Sequence, residues 1–202
     1  QVMSRFGLSL GFGDKTVKEV CEMNNVDCQT FLVVVNFMAE GFSRMDGSAD
    51  DISIPALVDY LRQAHIYFLD YCLPAIRRKL IEAIDCSQDD VSFLILKFFD
   101  GYMREVRKHM EYVDTLIHGN APKNYQISTF SKHHDQVGER LTELKNIIIK
   151  YCPAKANTNV LNAALFDIYA CEEGLESHCK VEDYLFVPAI LKLERRMREN
   201  EK

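Results

Sequence analysis

From Pro55 onward, apolar residues recur at intervals of three and four, the spacing of an amphipathic helix, and nowhere alternate as a strand would. Leu57, Tyr60, Leu61, Ala64, Phe68, Cys72 and Ile76 make one stripe, which predicts a first long helix from Pro55 to about Ile84. Pro55 suits a first helical turn. Pro74 falls inside this helix, where it removes a hydrogen bond and is expected to kink the axis. After a polar turn from Asp85 to Asp90, Phe93, Leu94, Phe98, Phe99, Tyr102, Val106, Met110 and Val113 predict a second helix, stopped by Gly119-Asn120-Ala121-Pro122. A third runs from about Ser128 through Val137, Leu141, Leu144 and Ile148 to Cys152-Pro153. A fourth starts after Asn157-Thr158-Asn159 and passes Leu193 into a charged tail.

The pattern before Pro55 is different. Phe6 to Thr16 is punctuated by glycines, with Asp14 or Thr16 placed to cap a short helix through Val17, Val20 and Cys21. Asn24-Asn25 breaks that helix, and Asp27 can cap another through Phe31, Leu32, Val35 and Met38. The expected organisation is a small helical domain at 1–45, a linker at 46–54 within a Gly/Ser/Asp-rich stretch, and a helical bundle at 55–202. So small an N-terminal unit needs a larger body to dock on. The fold class expected is all-α, an up-down four-helix bundle preceded by a small helical domain.

Composition narrows the function classes. The 202 residues are 48% hydrophobic and 27% charged, enough for one sizeable core. A net charge of −6 with no basic cluster argues against nucleic acid as the partner. No apolar run approaches the roughly 18 residues of a membrane span. The seven cysteines contain no Cys-x-x-Cys pair, and several sit in apolar runs, a pattern that suits free thiols in a reducing cytoplasm. Gln1 need not be the native start.

The candidate chemistry lies on the predicted inner faces. His178 and Glu182 are four apart, so on a helix they project from one face, one turn above the other. A carboxylate on such a face is costly unless it is paired or binds a metal. The chain also repeats itself at an offset of 69 residues, which carries His109 onto His178, Asp114 onto Asp183, and His65 onto His134. Within each half the two histidines are 44 residues apart, about a long helix, a turn and half of the next helix. Both histidines of a half can thus return to one level of a hairpin. Two packed hairpins would bring His65, His109, His134 and His178 into one layer of a four-helix bundle.

His178-x-x-x-Glu182-Asp183-x-Leu185-Phe186-x-Pro188, preceded by His134-Asp135 and Gly138-Glu139, resembles the hemerythrin-like HHE cation-binding family. It is nearest the RIC or ScdA-like branch of di-iron proteins, which repair iron–sulfur centres after nitrosative or oxidative stress. His65 with Leu73-Pro74 is similar to that branch's first bundle helix, His109-Met110 to its second, and Phe6 to Leu32 to its small leading domain. The resemblance implies non-haem iron held by His65, His109, His134, His178 and Glu182. It implies dioxygen, nitric oxide or peroxide, and damaged iron–sulfur proteins, as partners. A homodimer is compatible with it.

The chain departs from the family pattern at three places. Val113 stands where a ligand glutamate is expected four residues after His109. Asp114 or Glu111 would replace it only through a local shift, since Asp114 points about 100° away from Val113 on an undistorted helix. Asp85-Cys86-Ser87 occupies the region of a further family histidine, with Asp85 and Cys86 as substitutes, and Gly11-Phe12 takes the place of a vicinal cysteine pair. The ligand set is therefore expected to be an incomplete di-iron site: one firmly held iron, with the second labile or absent and zinc an alternative. Two further readings stand beside stress response or repair. One is an iron or gas sensor without catalysis, the other a metal-free interaction scaffold.

Overall fold

The computed structural model describes residues 2–40, 52–84, 90–117, 132–153 and 156–200. All regular structure among them is helical. Much of the expected linker at 46–54 lies outside the described residues, as do Asp85 and Cys86. None of the described helices is long and apolar enough to cross a membrane.

The helices, in chain order, are α1 (Val2–Arg5), α2 (Val17–Met23), α3 (Cys28–Glu40), α4 (Ile54–Ile66), α5 (Leu73–Ala83), α6 (Asp90–Ile117), α7 (Lys132–Tyr151), α8 (Thr158–Val181) and α9 (Val187–Asn200). A π-helical turn, Tyr67–Cys72, joins α4 to α5, and a second, Glu182–Phe186, joins α8 to α9. The caps follow the sequence. Thr16 accepts from the Glu19 N–H while the Glu19 carboxylate accepts from the Thr16 N–H, a reciprocal capping box that starts α2. Asp27 Oδ1 accepts from the Thr30 N–H at 2.7 Å and starts α3.

Both π-helical turns end against a proline at the second position of the next helix, Pro74 and Pro188. Proline donates no hydrogen bond, and its ring collides with the carbonyl four residues back. Each helix accommodates this by widening upstream. The Leu73 N–H donates to the Phe68 carbonyl and the Val187 N–H to the Glu182 carbonyl, five residues back in each case. The disturbance expected at Pro74 thus takes the form of an inserted residue in the π-helical turn before it.

Two compact units divide the chain: residues 1–64 with 177–202, and residues 65–176. In the first, Phe6 packs edge-on against Phe31 at 5.3 Å and meets the Tyr60 ring at a tilt at 4.8 Å, while Phe37 meets Tyr184 at 6.0 Å. Arg5 is buried beside them and hydrogen-bonds the Tyr60 hydroxyl. Burial pushes the Tyr60 phenol above its ordinary pKa, and the Arg5 charge only partly offsets this. The Ser53 N–H donates to Thr30 Oγ1 at 2.9 Å, holding the chain just before α4 against α3.

In the second unit, Ile76, Phe99, Leu144 and Ile148 are removed from solvent on the stripes that the sequence marks. Leu80, Ile95 and Ile168 are buried with them, whereas Phe93 and Leu94, which the second stripe includes, are exposed. Ion pairs cross between helices: Arg77 with Asp100 through two bonds at 2.6 and 3.1 Å, Lys79 with Asp167 at 2.5 Å, and Arg140 with Glu105 at 2.5 Å. Lys145 pairs with Glu172 and lies over the Tyr169 ring. Partly exposed pairs contribute about 0–1 kcal/mol each, so they fix helix register while the apolar stripes carry stability.

Candidate metal centre

Three of the side chains singled out by spacing meet in the interior. His65 from the last turn of α4, His178 from the last turn of α8, and Glu182 from the first position of the second π-helical turn each offer one ligand atom, and these atoms lie within 4.8 Å of one another. Their exposures are 3%, 0% and 0%, so the group is shut off from bulk water. His178 Nε2 and Glu182 Oε1 face each other at 3.2 Å, as the four-residue spacing requires.

The residues around the group explain its burial. Val181, Leu185 and Phe186 on the same rod are buried, as are Ala64 and Phe68 on either side of His65. A carboxylate with no exposed surface loses its hydration, and only a nearby positive charge or strong donors can restore what is lost. A divalent or trivalent cation between two imidazoles and a carboxylate meets that demand directly. Neutral nitrogen and anionic oxygen donors, with no thiolate among them, suit iron or zinc. The donor set therefore fits the cation that the resemblance implies.

The remaining expected ligands stand differently. His109, on α6, is half-buried with its Nε2 screened from solvent, and it is not a member of the group of three. His134 lies on α7 with its side chain outside those described. Val113 is fully buried on an uninterrupted α6, so no local shift moves a neighbouring acid into its place. Glu111 is exposed.

Asp114 does make contact with the centre, by a route the sequence argument did not consider. Its Oδ1 lies 3.3 Å from Nδ1 of His65, while the carboxylate remains 40% exposed. The 100° step that keeps Asp114 off the buried stripe of α6 sets it at the stripe's edge, within reach of a ring on α4. Its position beside Val113, on the border between buried and solvated faces, was the available cue.

Elsewhere, the Cys21 and Cys28 thiols hydrogen-bond each other where α2 gives way to α3. Burial raises the Cys21 pKa to about 11, with the Cys28 contact adding to the effect. None of the described cysteines forms a disulfide.

No curated protein and no solved structure matches the chain. The family model of the hemerythrin HHE cation-binding domain matches residues 56–190. That span runs from the start of α4 into α9 and includes both π-helical turns and every candidate ligand. An all-α fold, a buried His-His-Glu group and a match over most of its length place this chain in the hemerythrin HHE cation-binding family.

Proposed function

We propose that the chain is a non-haem iron protein whose firmly held iron is bound by His65, His178 and Glu182. The observation that carries this reading is the convergence of two imidazoles and one carboxylate, all buried, within 4.8 Å. Glu182 supplies the one anionic ligand, and the apolar residues beside it exclude water that would compete for the site. His109 and His134 are candidate ligands for a second, weaker ion. Fully buried Val113 provides no bridging carboxylate between the two positions. A di-iron centre normally draws several carboxylates from its helices, so a chain with one strong acid favours a single tight ion.

When bound, iron with three protein ligands would offer open positions to dioxygen, nitric oxide or peroxide. We extend the reading to stress response or iron–sulfur centre repair. The support is the RIC-like pattern of His65 with Leu73-Pro74 and His178 to Pro188, behind a small leading helical segment. Cysteines that form no disulfide among the described residues suit a reducing compartment, and we place the protein in the cytoplasm.

Metal analysis after anaerobic purification, joined to an anomalous-scattering map at the iron edge, tests the first claim. About one tightly held iron per chain, centred among His65, His178 and Glu182, is expected. A chain without stoichiometric metal, or iron bound elsewhere, overturns it. The repair claim fails if the iron-loaded protein restores nothing to a cluster protein damaged by nitric oxide.

A further inference from the structure

We propose that Asp114 is a positioning residue for this centre: its carboxylate accepts a hydrogen bond from Nδ1–H of His65 and so commits Nε2 of that ring to the metal. The inference rests on the metal-centre reading above and adds a residue that the ligand pattern does not contain.

A neutral imidazole carries one proton, on either nitrogen, and only the bare nitrogen can bind a metal. An ionised carboxylate is purely an acceptor, so a group 3.3 Å from Nδ1 selects the tautomer with the proton on Nδ1. The lone pair is then on Nε2, an atom screened from solvent. His65 stands next to the end of α4, which gives way to a π-helical turn immediately after Ile66. The carboxylate comes from α6, 49 residues away in sequence.

The arrangement also accounts for the exposure of Asp114. A carboxylate that served as a ligand would need to leave water, as fully buried Glu182 does. Asp114 stays 40% exposed, which keeps the cost of its charge low while its field still reaches the ring. Partners of this kind, which hold a ligating histidine by its other nitrogen, typically contribute 10- to 100-fold to metal affinity.

The experiment compares the full chain with Asp114→Ala and Asp114→Asn, using Fe(II) in competition with a chelator, Co(II) absorption as a report on ligand geometry, and nitrogen NMR of the His65 ring in the metal-free protein. Asp114 is partly exposed, so both variants should fold, and circular dichroism checks that. Asp114→Ala should weaken Fe(II) binding by about 10- to 100-fold, alter the Co(II) spectrum, and release His65 from the Nδ1–H tautomer. Asp114→Asn, whose amide oxygen still accepts a hydrogen bond, should recover most of the affinity and hold the tautomer. Wild-type affinity and spectrum in Asp114→Ala would overturn the proposal, as would a wild-type His65 protonated on Nε2. Equal loss in both variants, with a fall in metal stoichiometry, would make Asp114 a ligand and also overturn it. Should the wild type bind no Fe(II), the metal-centre reading fails alone, because the tautomer of metal-free His65 still decides what Asp114 does.

Discussion

The pair His178–Glu182 can be interrogated by a cycle of leucine substitutions, read with and without metal. Both side chains have no exposed surface, and their polar atoms are 3.2 Å apart. With His178 protonated, a pair at that separation would interact by about 5 kcal/mol in a medium of effective dielectric 20, before the cost of removing each group from water. Replacing Glu182 alone leaves the His178 imidazole facing hydrocarbon, and breaking such a buried pair costs about 3–5 kcal/mol. Replacing both partners removes the attraction and the desolvation cost together. The double variant His178→Leu/Glu182→Leu should therefore be close to neutral in metal-free protein, or more stable by about 1–4 kcal/mol.

Metal reverses this order. A cation present at about 100 times its dissociation constant stabilises the wild type by about 2.7 kcal/mol and cannot stabilise a chain that lacks two of its three ligands. Denaturant unfolding of wild type, both single variants and the double, each with and without Fe(II), supplies all the terms. The expected pattern is a destabilised single variant, a restored double variant, and metal stabilisation in the wild type alone. Undiminished metal stabilisation in the double variant would refute the site. A Glu182→Leu chain as stable as the wild type without metal would refute the energetic account of its burial.

Three further outcomes follow from other parts of the molecule. Thr16→Ala removes one half of the capping box and should cost about 1 kcal/mol, seen as earlier loss of protection in α2 by hydrogen exchange; unchanged protection there would mean that the cap does not hold the helix. Cys21 has its pKa raised from 9.0 to about 11 in the folded chain, so the unfolded state gives up this proton first as pH climbs. The stabilisation is complete below pH 9 and is lost as pH rises towards about 11; Cys21→Ala should flatten that limb of the pH–stability curve, and an unaltered limb would assign it to other groups. Pro188→Ala restores an N–H donor and removes the ring that forces the second π-helical turn. The variant should be no less helical yet bind Fe(II) more weakly, because the carbonyl of Glu182 closes that turn; equal affinity would separate the turn from ligand placement.

The parts of this protein that the sequence made legible are those governed by local rules. Stripes at helical spacing placed the four helical runs from α4 to α9 within a few residues, though not the break between α8 and α9. Thr16, one of two cap candidates, and Asp27 marked the starts of α2 and α3 because capping involves neighbours three residues apart. The spacing of His178 and Glu182 was readable for the same reason, since one helical turn brings them together whatever the rest of the chain does. Pro74 was readable only in part. Its missing donor predicted a disturbance, but whether a helix bends or admits an extra residue depends on which arrangement keeps both flanking faces buried, and that is a tertiary quantity. Here Phe68, within the turn, and Leu73, immediately after it, are both fully buried.

Asp114 marks the sharper limit. By helical geometry it belongs to the face beside the buried stripe, which argues against its binding a metal directly. That inference treats a carboxylate as either a ligand or a bystander. A histidine, however, has two nitrogens on opposite edges of one ring, so an acid excluded from the core on one helix can still govern a ligand on another by holding the edge turned away from the metal. Buried Val113 and border Asp114 are separated by one such 100° step. The buried position gives up charge, and the border position keeps it where water still lowers its cost. A site with fewer direct carboxylates depends more heavily on such outer partners, because each remaining imidazole must be presented in the right tautomer without a second acid to compensate for the wrong one.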